Sequence, residues 1–141
     1  MRKTILILLV ASSLHATAQD KEEREVLRSC LRAWTAVMQQ NGVDYKDHLK
    51  DLKTLRFAEI KPDLLGVTCR HSDRIELSRG VMKRGAWTTL ATFFHEMGHY
   101  YGLNHKATGI MYYRAKSESE FKAHWSELVA EYVKEMKNRN R

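Results

Sequence analysis

A chain of 141 residues has room for one domain around one core. Its 24 lysines and arginines outnumber 17 acids for a net charge of +7, yet the bases alternate with acids along the predicted helices. No basic stripe with interleaved aromatics is present, so nucleic acid is excluded as a partner.

The first eighteen residues read as a signal peptide. Arg2 and Lys3 supply a positive start, Ile5 to Ala11 a short apolar run, and Ala16-Thr17-Ala18 the small residues of a cleavage site after Ala18. The apolar run is too short for a membrane anchor, which needs ~20 residues. Residues 1–18 are therefore expected to be removed and residues 19–141 to form the domain. Loss of Arg2 and Lys3 lowers the formal charge from +7 to +5. The expected product is a secreted or periplasmic monomer that does not touch a membrane after cleavage. In an exported chain the two cysteines, Cys30 and Cys69, predict one disulfide.

Residues 20 to 41 have helical periodicity, with Val26, Leu27, Cys30, Leu31, Trp34, Val37 and Met38 recurring every three or four positions. Asp20 is the expected N-cap and Asn41-Gly42 the stop. Residues 43 to 53 are polar and ambiguous. Pro62, the only proline, marks a turn. Three short alternations predict strands: Leu55 and Phe57; Leu65, Val67 and Cys69; Ile75 and Leu77, with His71-Ser72-Asp73 as the turn before the last. Cys69 and Cys30 both fall on apolar faces, which makes a bridge between them reasonable. A helix follows over about 85 to 101 with Leu90, Phe94, Met97 and Tyr101 as its buried stripe. After a loop, a last amphipathic helix covers about 117 to 137, with Phe121, Trp125, Leu128, Val129, Tyr132, Val133 and Met136 on one side. The class is α+β: a small mixed sheet with an N-terminal, a central and a C-terminal helix.

The chemistry is concentrated in HEMGHYYGLNH, His95 to His105. His95 and His99 are four apart, so a helix sets both imidazoles on one face, able to bind one zinc ion. Glu96 is rotated ~100° from His95, too far to be a ligand but within reach of the ion's open position. Gly102 ends the helix by taking a left-handed conformation, and the turn brings His105 back as a third ligand. Three imidazoles and one open position describe a catalytic zinc site. The full HExxHxxGxxH pattern arises by chance in a chain of this size less than about once in 10^4.

His95, Glu96, His99, Gly102 and His105 resemble the motif of the metzincin clan of zinc peptidases. Met111 in GIMYY, six residues after His105, fits the methionine turn that the clan places beneath its zinc. Gly66 with Cys69, Ile75-Glu76-Leu77 and Trp87 resemble small secreted bacterial metallopeptidases. Lys106, after the third histidine, matches none of the large families, and the chain before Arg74 has space for fewer strands than the usual five. The resemblance implies a minimal metzincin-like zincin fold and a secreted zinc endopeptidase. His95, His99 and His105 would bind Zn2+, and Glu96 would be the catalytic base. Tyr113, two residues after Met111, would be a catalytic hydrogen-bond donor, with packing as its competing role. An extended peptide or protein substrate would pair with an edge strand at Arg74 to Ser78. Two other classes remain in view: a zinc-stabilised binding or inhibitor module derived from a peptidase, and a hydrolase of non-peptide amides.

Overall fold

The computed structural model describes residues 17–112 and 114–139. The expected signal peptide thus falls, but for Thr17 and Ala18, outside the described residues, as does Tyr113. Helix α1 spans Ala18–Gln40 and α2 Lys46–Leu49. Strands β1 (Thr54–Ala58), β2 (Gly66–Cys69) and β3 (Arg74–Ser78) follow, with one turn of 3-10 helix at Arg70–Ser72 between the last two. Helices α3 (Arg79–Met82), α4 (Ala86–Tyr100) and α5 (Glu118–Asn138) complete the chain. The α+β expectation holds, and every strand lies where the alternation put it. The ambiguous stretch after Asn41 contains α2. Among the described residues no helix is long and apolar enough to cross a membrane.

The N-cap of α1 is Thr17 rather than Asp20. Thr17 Oγ1 accepts from the Asp20 amide at 3.1 Å, and the Asp20 carboxylate accepts from the Thr17 amide at 2.9 Å. Asp20 is thus the reciprocal half of a capping box, three residues inside the cap. Ser117 and Glu120 repeat the device at the start of α5.

The sheet is mixed, in the order β1-β3-β2. β1 runs parallel to β3 and β2 antiparallel to it. β3 is therefore the central strand, with both of its edges paired. This overturns the expectation that Arg74 to Ser78 forms a free edge for substrate; in this sheet the free edge beside the cleft belongs to β2. Linear spacing gives strand positions but not strand order, and here the last strand inserts between the first two.

Pairing also decides which way the side chains point. Gly66 and Thr68 of β2 oppose Leu77 and Ile75 of β3, which oppose Phe57 and Leu55 of β1. The apolar members of this set are buried, and the face they share is covered by the helices. Alternation sends Val67 and Cys69 to the other face, beside Glu76 and Arg74. There Glu76 is paired with Arg56 at 2.7 Å and Arg74 at 3.3 Å.

The disulfide expectation fails for the same reason. Cys30 and Cys69 are both free thiols. Cys30 is buried on α1 among the core side chains of the helical side, while Cys69 lies on the opposite face of the sheet, on the strand beyond β3. Burial pushes the Cys30 thiol up to about 11, whereas hydrogen bonds from Ser72 hold Cys69 below its ordinary value.

The core ties the helices to one another. Trp34 of α1, fully buried, donates its indole N–H to the Tyr132 hydroxyl of α5 at 3.0 Å, and Tyr132 donates onward to the Phe94 carbonyl of α4 at 2.8 Å. Large buried aromatics keep their polar tips satisfied in this way. At the other end of the helix pair, the Glu118 carboxylate accepts from the Trp87 and Thr88 amides and the Thr88 hydroxyl, serving free N–H groups in the first turn of α4. Both contacts fix α4, the helix that carries the histidines.

Candidate metal centre

The three histidines converge. The Nε2 atom of His99 lies 3.0 Å from Nε2 of His95 and 3.0 Å from Nε2 of His105. His95 and His99 are brought together by one turn of α4, as their spacing predicts. His105 arrives through the turn at Gly102, whose φ of +97° lies in the glycine-favouring region. The Gly102 amide donates to the His99 carbonyl at 3.0 Å and the Leu103 amide to the Gly98 carbonyl at 2.8 Å, the two bonds of a Schellman motif.

Backbone carbonyls orient two of the rings. His95 Nδ1 is 2.7 Å from the Ile110 carbonyl, and His99 Nδ1 is 2.9 Å from the Leu103 carbonyl. A carbonyl can only accept, so each Nδ1 carries the proton and each Nε2 presents a lone pair. Lone pairs that face one another at 3.0 Å repel unless a cation lies between them. Zinc–nitrogen bonds of ~2.0–2.1 Å in a tetrahedral site put ligand nitrogens ~3.3 Å apart, within a few tenths of the spacing here. The donor set therefore fits a metal ion, and the cluster His95, His99 and His105 could hold one. Burial drives the His95 imidazole down to about 4, against the opposing pull of the Ile110 carbonyl, and burial also lowers His105. Both shifts favour the neutral, ligating form.

Glu96 sits behind this cluster and is 5% exposed. Its Oε2 accepts from the Thr68 hydroxyl at 2.6 Å, and Thr68 also reaches the Glu96 carbonyl at 3.0 Å. Burial raises the carboxyl to about 7, with the Thr68 bond pulling the other way. Gly66 makes room for the side chain: a Cβ there would lie 2.6 Å from Glu96 Cγ. β2 is thus the strand that holds Glu96, through Thr68 by a bond and through Gly66 by the absence of a side chain.

Met111 is buried in the turn that supplies the Ile110 carbonyl, 1% exposed. It lies against Gly98, where an added Cβ would stand 2.5 Å from its Sδ and 3.2 Å from Tyr132 Cε2. A glycine inside a helix costs ~1 kcal/mol relative to alanine and is itself a signal of close packing, though HExxH alone does not say against what. Thr68, Gly66, Gly98 and the carbonyls of Leu103 and Ile110 are the positions that sequence reasoning did not assign. His48, His71 and His124 are exposed and stand apart from the cluster; His124 faces Glu127 at 3.5 Å. A cleft of about 710 Å³ runs past the centre, lined by β2, α4 and the loop after it.

Residues 76–139 match the Peptidase M66 family model. The M66 match begins inside β3 and takes in α4, all three histidines, Glu96, Met111 and α5; it supports a peptidase. No curated protein and no solved structure matches the chain.

Proposed function

We propose that the protein is an exported zinc endopeptidase of the metzincin type. The observation that carries this reading is the convergence of three imidazoles, two of them oriented by backbone carbonyls, beside a buried carboxylate, inside a cleft whose far wall is a free strand edge. His95, His99 and His105 would hold the ion. Bound zinc supplies Lewis acidity, which polarises a peptide carbonyl and makes water a nucleophile near neutral pH. Glu96 takes the proton of the attacking water and returns it to the leaving amine. Thr68 occupies Oε2, so Oε1 is the oxygen left to accept that proton. A carboxyl raised to about 7 by burial has the strength a base needs near neutral pH.

A peptide lying extended in the cleft would add to β2 by backbone hydrogen bonds, the role first expected of Arg74 to Ser78. Tyr113 remains the proposed donor to the oxyanion. Export would follow cleavage after Ala18. That cut removes the Thr17 cap of α1 and leaves Asp20 to serve the first-turn amides.

The test pairs metal content with proteolysis. Purified protein is expected to carry about one zinc per chain, to cleave unfolded casein, and to lose that activity to a strong chelator and regain it with zinc. Zinc binding without cleavage of casein would leave the binding-module reading in its place.

A further inference from the structure

Two arginines stand at opposite ends of the cleft. Arg84 lies two residues before α4, and Arg70 lies at the end of β2, with its guanidinium 3.8 Å from where a Cβ would sit on Gly102, just past the end of α4. Both are exposed, and among the described residues neither forms an ion pair. The arginines of the sheet and its margin differ: Arg56, Arg74 and Arg79 are each held by a glutamate. Among the described residues, Asp63 is the only acidic lining residue of the cleft apart from Glu96. The cleft therefore presents Arg84 and Arg70 on either side of the histidines with neither held in an ion pair among the described residues, Asp51 and Asp73 lining a neighbouring cavity beside Arg70.

We infer that the cleft selects peptides carrying acidic side chains on both sides of the bond at the metal centre, with Arg84 reading one side and Arg70 the other. This rests on the peptidase reading and adds a substrate class to it. The spacing follows from α4. Its 15 residues at ~1.5 Å each separate the two ends by roughly 21 Å. An extended peptide rises ~3.3 Å per residue, so about six residues bridge that distance. His95 and His99 lie toward the C-terminal end of α4, so the acidic side chains belong about five residues from the centre on the Arg84 side and about one or two on the Arg70 side. Guanidinium groups bind carboxylates in bidentate fashion, which favours aspartate and glutamate over their amides.

Two measurements decide the proposal. The zinc-loaded full chain is given a peptide library made from denatured proteins, and the cut sites are mapped by mass spectrometry. Aspartate and glutamate are expected to be enriched about 3-fold or more on both sides of the cut, the scale of an exposed ion pair. Arg84→Gln should erase the enrichment on one side and Arg70→Gln on the other. Enrichment that is absent, or that survives both substitutions, overturns the proposal. The second measurement does not need cleavage. Fluorescent peptides with two glutamates six residues apart, or two glutamines there, are titrated into Glu96→Gln protein at low and high salt. Tighter binding of the glutamate peptide, about 5-fold at low salt and shrinking as salt is added, is expected, and the Arg70→Gln/Arg84→Gln background should abolish the difference. Equal affinities overturn the proposal. A chain that binds the acidic peptide selectively but cuts nothing would refute the peptidase reading alone.

Discussion

Replacing Gly98 with alanine sets two effects of opposite sign against each other. Gly98 lies inside α4, where helix propensity alone favours alanine by ~1 kcal/mol. The added Cβ, however, would stand 2.5 Å from Met111 Sδ and 3.1 Å from its Cε. Non-bonded heavy atoms rest at ~3.5–4.0 Å, so the methionine must retreat by about 1 Å. It has little space to do so, being 1% exposed, and Tyr132 on the other side is held by bonds to Trp34 and Phe94. Overpacking of this kind costs typically ~1–3 kcal/mol, which outweighs the propensity gain. The expected result is a net loss of about 1 kcal/mol, seen as a lower urea midpoint with unchanged slope. The displacement also reaches the metal centre, because Met111 follows the Ile110 carbonyl that orients His95 at 2.7 Å. Loss of such an outer support weakens metal binding by ~10–100-fold, to be read by zinc competition titration. Met111→Ala in the Gly98→Ala background should relieve the clash, so that the two changes are non-additive by ~1 kcal/mol or more. A Gly98→Ala protein that is more stable than the parent and binds zinc as tightly would refute the argument.

Other outcomes can be checked separately. Glu96→Gln keeps the side chain's shape and should fold and bind zinc normally while losing ~10^2-fold or more in kcat; unchanged turnover would remove Glu96 as the base. His105→Ala should lower zinc affinity as far as His95→Ala or His99→Ala does, so full zinc occupancy in that variant would reduce the ligand set to two histidines. For the cysteines, a thiol reagent on native protein should modify Cys69 quickly and Cys30 only after unfolding, since one is partly exposed with a lowered pKa and the other is buried with a raised one; a Cys30–Cys69 bridge in non-reducing peptide mapping would contradict the sheet order. Tyr113→Phe should lower kcat with little change in KM or melting temperature, a loss on the scale of ~3 kcal/mol if its hydroxyl serves the oxyanion; equal activity would assign the ring to packing.

The sequence by itself determined the parts of this protein that depend on local periodicity. A 3.6-residue repeat is enough to set His95 above His99, and one glycine is enough to end α4 and return His105, because helix geometry and left-handed backbone preferences act within a few residues. The strands were legible for the same reason, through their period of two. What that period does not carry is which strand lies next to which, or which of two weakly contrasted faces is inside. All four residues of β2 are half-buried, so the apolar side chains of Val67 and Cys69 misled where pairing with β3 turns Gly66 and Thr68 inward. Only the tertiary structure placed β3 in the middle, separated the two cysteines across the sheet, laid Thr68 on Glu96 and pressed Met111 against Gly98. Each of these is a contact between segments distant in the chain, selected by the burial of a shared core rather than by any preference of the residues that make it.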